Sequence, residues 1–186
     1  MRKIVFSLIA VSFAAMSHGA QPMLDNERVV AWDVTGVMPP AQHDFVAISL
    51  SRKGTAVFGH KGDKPGKAGV RSIVIELKDV APAPISNTTG YPLAFPRPHV
   101  KKLLENDKVI VWDYAWRQGE PTPMHFHDKD TVVVFEATGA LQSTTADGKS
   151  VLNEHKFGDI RFNKRDRTHT ELLVRGQARA VITELK

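Results

Sequence analysis

Short runs of β-branched and aromatic residues alternate along this chain with Gly, Asp, Asn and Pro. Residues 45–50, 55–58, 72–77, 131–135, 159–162, 172–174 and 178–185 all follow the pattern. Such residues suit a pleated, half-buried surface, and frequent turn residues between them argue for a sandwich or barrel of many strands. The expected fold class is all-β, with 99–105 as the one short helix.

The chain also repeats itself. Glu27-Arg28-Val29-Val30-Ala31-Trp32-Asp33-Val34 resembles Asp107-Lys108-Val109-Ile110-Val111-Trp112-Asp113-Tyr114, and Ile75-Glu76-Leu77-Lys78 resembles Thr183-Glu184-Leu185-Lys186. Matching starts and ends predict two copies of one β-rich unit, the first shortened. Residues 81–103 between them are rich in proline, which removes ladder donors and fixes φ, so they read as a connector. The expected organisation is a degenerate unit at 21–80, the connector, and a full unit at 104–186.

Residues 1–20 stand apart. Arg2 and Lys3 precede the apolar run 4–15, and small residues follow, the pattern of a signal peptide cleaved after Ser17, Gly19 or Ala20. The run is shorter than the stretch of about 20 residues that a membrane span needs. The expectation is a periplasmic or secreted protein, free of the membrane once cleaved. Cleavage removes two basic residues and no acid, taking the formal charge from +5 to +3. A balance this modest, without a groove-reading motif, argues against a nucleic-acid partner. There is no cysteine, which excludes disulfides and thiol catalysis. No serine lies in a nucleophile elbow either.

The chemistry gathers in the second half. Residues two apart on a strand share a face, so His125 and His127 point the same way. His169 follows Gly158 by eleven residues, on another strand. Three inward imidazoles make an open site for one divalent transition metal, Fe, Cu, Zn, Mn or Ni, with positions left for water or substrate. Glu171 shares the face of His169 on a strand, as a carboxylate ligand or a general base. Met124 and Phe126 read as packing residues, as do Trp32 and Trp112 at matching repeat positions. His60, His99 and His155 lack partners at ligand spacing and read as surface or loop residues.

Gly119, His125, His127 and Gly139 resemble the first motif of the cupin superfamily in type and spacing, and Gly158 with His169 resembles the second. The resemblance covers about 104–186, and the N-terminal half only as a degenerate copy. It implies a jelly-roll β-barrel, bicupin-like with a shortened first copy. Two departures stand out. The family's glutamate ligand falls at Thr131 or Val132, and its Pro-x-Gly falls at Lys164-Arg165-Asp166. The resemblance therefore implies one metal per chain held by histidines alone, as in the three-histidine dioxygenases of the family.

Arg161, Arg165 and Arg167 are candidates to bind an anionic substrate if their loop overhangs the pocket; otherwise 164–167 is a solvated turn. The partner expected is a small molecule, with a homodimer left open. Three classes of function follow: a metal-dependent oxygenase (or a metal-assisted isomerase or lyase), a non-catalytic small-molecule or metal-binding protein, and a structural module.

Overall fold

The structure is a computed structural model and describes residues 21–186; the expected signal peptide, 1–20, lies outside the described residues. Every regular element among them is a strand, and the fold class is all-β, as the punctuation predicts. The first half contributes β1 (Leu24–Asp25), β2 (Val29–Val37), β3 (Phe45–Ser49), β4 (Ala56–Gly59) and β5 (Gly66–Leu77). The second half begins with β6 (Lys101–Glu105), β7 (Val109–Trp116), β8 (His125–His127), β9 (Asp130–Phe135) and β10 (Gly139–Thr145). It ends with β11 (Ser150–His155), β12 (Ile160–Asn163), β13 (Arg167–Gly176) and β14 (Ala178–Leu185).

The helix expected at 99–105 is instead strand β6, paired antiparallel with β7 through a register shift between Lys102 and Leu104. Lys, Leu and Glu favour a helix in isolation, but Leu103 and Leu104 pack here against the apolar core, and tertiary burial overrides propensity.

Two sheets of the second half face each other, one ordered β12-β9-β14-β7-β6 and the other β11-β10-β13-β8. Alternation splits the larger sheet cleanly. Trp112, Tyr114, Trp116, Val133, Phe135, Ala180 and Ile182 face inward, towards Leu141 and Leu173 of the smaller sheet. Val109, Val111, Val132, Val134 and Val181 face outward, and the N-terminal strands cover them.

Those strands form one sheet, ordered β1-β2-β5-β3-β4. Val29, Ala31, Val46, Ile48, Ile73 and Ile75 of its inner face share a single core with the outward valines of the barrel. Read in chain order, this sheet reproduces the larger barrel sheet, β1 for β6, β2 for β7, β5 for β14, β3 for β9 and β4 for β12. Detail repeats as well. Asn26 Oδ1 accepts from the N–H groups of Arg28 and Val29, and Asn106 Oδ1 from those of Lys108 and Val109. Across the interface Arg28 pairs with Asp130 at 2.6 Å and, in the equivalent place, Lys108 with Asp44 at 2.9 Å.

Trp32 and Trp112 hold equivalent registers, opposite Val74 and Ile182, but not equivalent surroundings. Trp112 stacks on Phe95 at 5.3 Å inside the barrel, whereas Trp32 lies on the N-terminal sheet face turned away from it.

Candidate metal centre

Strand β8 is three residues long and pairs with β13, setting His127 opposite Arg167 and His125 opposite His169. This register places three imidazoles on one patch of the barrel interior, all of them buried. His127 Nε2 lies 3.1 Å from His125 Nε2 and 3.2 Å from His169 Nε2, and the three ligand atoms fall within 4.8 Å of one another.

The donor set fits a metal ion. With metal–nitrogen bonds of about 2.1 Å, ligand nitrogens sit about 3.0 Å apart in cis-octahedral geometry and about 3.4 Å apart in tetrahedral geometry. Both short edges of the cluster lie within that interval. His125 is also preset as a ligand. Its Nδ1 donates to the Pro123 carbonyl at 2.7 Å, so its Nε2 carries the lone pair that a metal needs.

Electrostatics keep the imidazoles neutral. Burial, with Arg97 nearby, lowers His125 from 6.5 to about 4. Burial and Arg167 push His127 down as well. His169 is also lowered by burial, against an opposing pull from Glu171. Neutral imidazole is the metal-binding form.

The family's glutamate position resolves to Thr131. It is buried and lines the cavity, whereas Val132 faces the N-terminal sheet. Glu171 also lines the cavity, two residues along β13 from His169, but lies outside the ligand cluster. Its Oε2 accepts from Trp116 Nε1 at 3.0 Å and faces Arg97 at 3.6 Å. Burial pushes this carboxyl up, but Arg97, the neighbouring imidazoles and the Trp116 donor outweigh it and hold it below its ordinary range.

Arg161 and Arg167 both border the cavity, of about 90 Å³. Arg161 lies 5.4 Å from the centre of the Phe135 ring and donates to the Glu154 carbonyl. Arg165, the third arginine of that reading, does not line this cavity. A turn with Asp166 at φ 61° separates it from β13. Its backbone N–H donates to Asp130 and its guanidinium to the Ala83 carbonyl at 2.6 Å.

His155 is likewise not a surface residue. It is buried, stacked on Phe135 at 4.2 Å, with Nε2 against the Gln177 carbonyl at 3.0 Å. His60 and His99 are exposed, as expected.

Arg97 is the site residue that sequence reasoning missed. The proline-rich segment is a strap along β8: Phe126 N–H donates to the Pro92 carbonyl, and Ala94 N–H to that of Phe126, both at 2.8 Å. This pairing carries Arg97 inside, 4.0 Å from the Tyr114 ring centre, with Nη1 3.4 Å from His125 Nε2. The available signal was a lone arginine between two prolines and two residues after Phe95.

No protein-family model matches the chain, and no curated protein matches it. Solved structures do. The cupin 2 conserved barrel domain protein from Leptotrichia buccalis is 11% identical over 90% of this chain and 88% of its own, with a TM-score of 0.53. At that identity the match bears on fold alone. A cupin domain from Bordetella pertussis Tohama I is 26% identical over 49% of this chain and 97% of its own, with a TM-score of 0.44.

Proposed function

We propose that this protein, whose fold is that of the cupins, is exported and binds one divalent transition metal through His125, His127 and His169 to act on a small molecule. The observation that carries the reading is the convergence of three buried Nε2 atoms at 3.1 and 3.2 Å.

Bound there, iron or copper would supply oxygenase chemistry and zinc a Lewis acid. The chain's own residues do the rest. Pro123 fixes the tautomer of His125. Phe135, Leu141 and Ile182 give the cavity an apolar wall that restricts water. Glu171 accepts from Trp116 Nε1 and lies 3.6 Å from Arg97.

That role for Glu171 favours an oxygenase over an isomerase or lyase. A proton-transfer enzyme needs a base free to reach the proton it abstracts, and Glu171 Oε2 already accepts from Trp116 and faces Arg97.

Elemental analysis of the purified protein beside a His125→Ala/His127→Ala variant tests the metal reading. One ion per chain, lost in the variant, supports it. No ion in either protein, after reloading with Fe, Cu, Zn, Mn and Ni, removes it. Oxygen uptake by the loaded protein then separates an oxygenase from a non-catalytic binding protein. Export is checked by N-terminal sequencing of the protein recovered from the periplasm of a bacterial host, with a start after Ser17, Gly19 or Ala20 as the expected result.

A further inference from the structure

We propose that the cavity is a binding site for a short-chain carboxylate, gripped by Arg97 and Arg167 beside the three imidazoles. The inference rests on the metal reading for the ligand's second anchor, but not for its charge.

Arg97 carries the argument. Its side chain is 6% exposed, and a charge so buried is costly unless it is paired at hydrogen-bonding distance. Its protein partners fall short of that. Nη2 is 3.6 Å from Glu171, Nη1 is 3.4 Å from a neutral imidazole, and Nε has no partner among the described residues. A guanidinium offers five N–H donors, and carboxylate is the anion whose geometry matches its fork. The flat faces are already used, with Tyr114 at 4.0 Å and Phe95 at 4.7 Å. The donor edge is what remains, directed towards His125 and Glu171.

Arg167 adds a second grip. It lies opposite His127 in register and borders the cavity. Its Nε donates to the Lys164 carbonyl, leaving both terminal nitrogens without a protein partner among the described residues. With Arg161, the cavity wall holds three guanidinium groups against the single carboxylate of Glu171, and a divalent ion would add to the surplus. A neutral ligand would leave that charge uncompensated.

Size and lining narrow the class. The volume of about 90 Å³ equals roughly six to nine water-sized probe volumes. Besides the arginines the wall includes apolar Val133, Phe135, Leu141 and Ile182. A carboxylate with a short hydrocarbon chain meets both halves; inorganic phosphate meets only one.

The test uses copper-loaded protein, followed by visible absorption at constant ionic strength and titrated with butyrate, butyramide or inorganic phosphate. Butyrate should perturb the copper band saturably, with butyramide and phosphate at least about tenfold weaker, since one charged hydrogen bond is worth about that much. Arg97→Gln and Arg167→Gln should each keep their copper and lose at least about tenfold in butyrate affinity, while Arg97→Lys should lose less than Arg97→Gln. Butyrate binding no tighter than butyramide, tighter binding of phosphate, or an unchanged Arg97→Gln would overturn the proposal.

If no copper binds, the metal reading falls by itself. The same titrations are then followed through the imidazole NMR signals of the metal-free protein and decide on the carboxylate alone. Should Arg97→Gln fail to fold, Arg167→Gln and Arg97→Lys carry the comparison.

Discussion

The repeat provides two versions of one ion pair, and their unequal burial makes unequal consequences testable. Arg28 and Asp130 meet at 2.6 Å with side chains 6% and 9% exposed; Lys108 and Asp44 meet at 2.9 Å with side chains 39% and 18% exposed. Arg28→Met leaves the Asp130 carboxylate buried without its cation and strips the Lys186 carbonyl of its 3.1 Å donor. Breaking a buried pair from one side costs about 3–5 kcal/mol. For a domain of this size that is a fall in Tm of roughly 6–20 °C. Lys108→Met should cost far less, because this pair is more exposed, 39% and 18%, and water can reach the Asp44 carboxylate once its cation is gone. The expected cost there is at most about 1 kcal/mol. A third variant separates burial from mere position. Arg28→Met/Asp130→Leu removes both charges and should recover most of the loss, within about 2 kcal/mol of the parent. Urea unfolding with chelator present measures all three free of any metal contribution. Equal losses in Arg28→Met and Lys108→Met, or a double variant no better than Arg28→Met, would refute the assignment of the cost to burial.

Other expectations follow from the same structure. The two glycines of the first motif should fail differently. Gly119 has φ +75° and open space around it, so Gly119→Ala should cost about 1–2 kcal/mol of backbone strain. A Cβ on Gly139 would lie 2.5 Å from the carbonyl oxygens of Arg175 and Gln177, so Gly139→Ala should cost about 3 kcal/mol or more in urea unfolding. A metal ion present at 100 times its Kd should raise stability by about 2.7 kcal/mol, read as an upward shift in Tm that His127→Ala abolishes. Acid should destabilise the metal-free protein between pH 6.5 and about 4, the window set by His125. There the unfolded chain takes up a proton that the folded imidazole refuses, so stability falls as pH drops and this contribution levels off below about 4. Urea unfolding across that range, with a shallower slope for His125→Gln, is the check.

How much of this was legible in the sequence depends on how local the signal is. His125 and His127 share a face because strand alternation is a two-residue rule, and the spacing from Gly158 located His169. Helix or strand at 101–105 could not be settled locally, because the composition favours a helix and only pairing with β7 makes it an edge strand. Arg165 and Arg167 look alike in sequence, but the Asp166 turn at φ 61° sends them to different places. His155 lies at the end of an edge strand, and nothing nearby reports the Phe135 ring that buries it. Arg97 was the hardest to see. It reaches the site because the strap joins β8 through backbone hydrogen bonds, and backbone pairing leaves little trace in side-chain pattern.

The repeat also bears on why the three-histidine cluster occurs once among the described residues. The N-terminal sheet has a counterpart for each of β6, β7, β9, β12 and β14, and the strands without counterparts are β8, β10, β11 and β13. Those four form the smaller barrel sheet, and two of them, β8 and β13, carry His125, His127, His169 and Glu171. A shortened copy without that sheet has no inner face on which to assemble imidazoles, whatever its own histidines. What it keeps is the apolar face of the larger sheet, and two such faces cover each other. Val29 and Val109, Ala31 and Val111, and Ile73 and Val181 are equivalent pairs in one shared core. The first copy therefore contributes burial and the second the cluster. The strap between them links the two roles, because the segment that crosses from one sheet to the other is also the one that delivers Arg97.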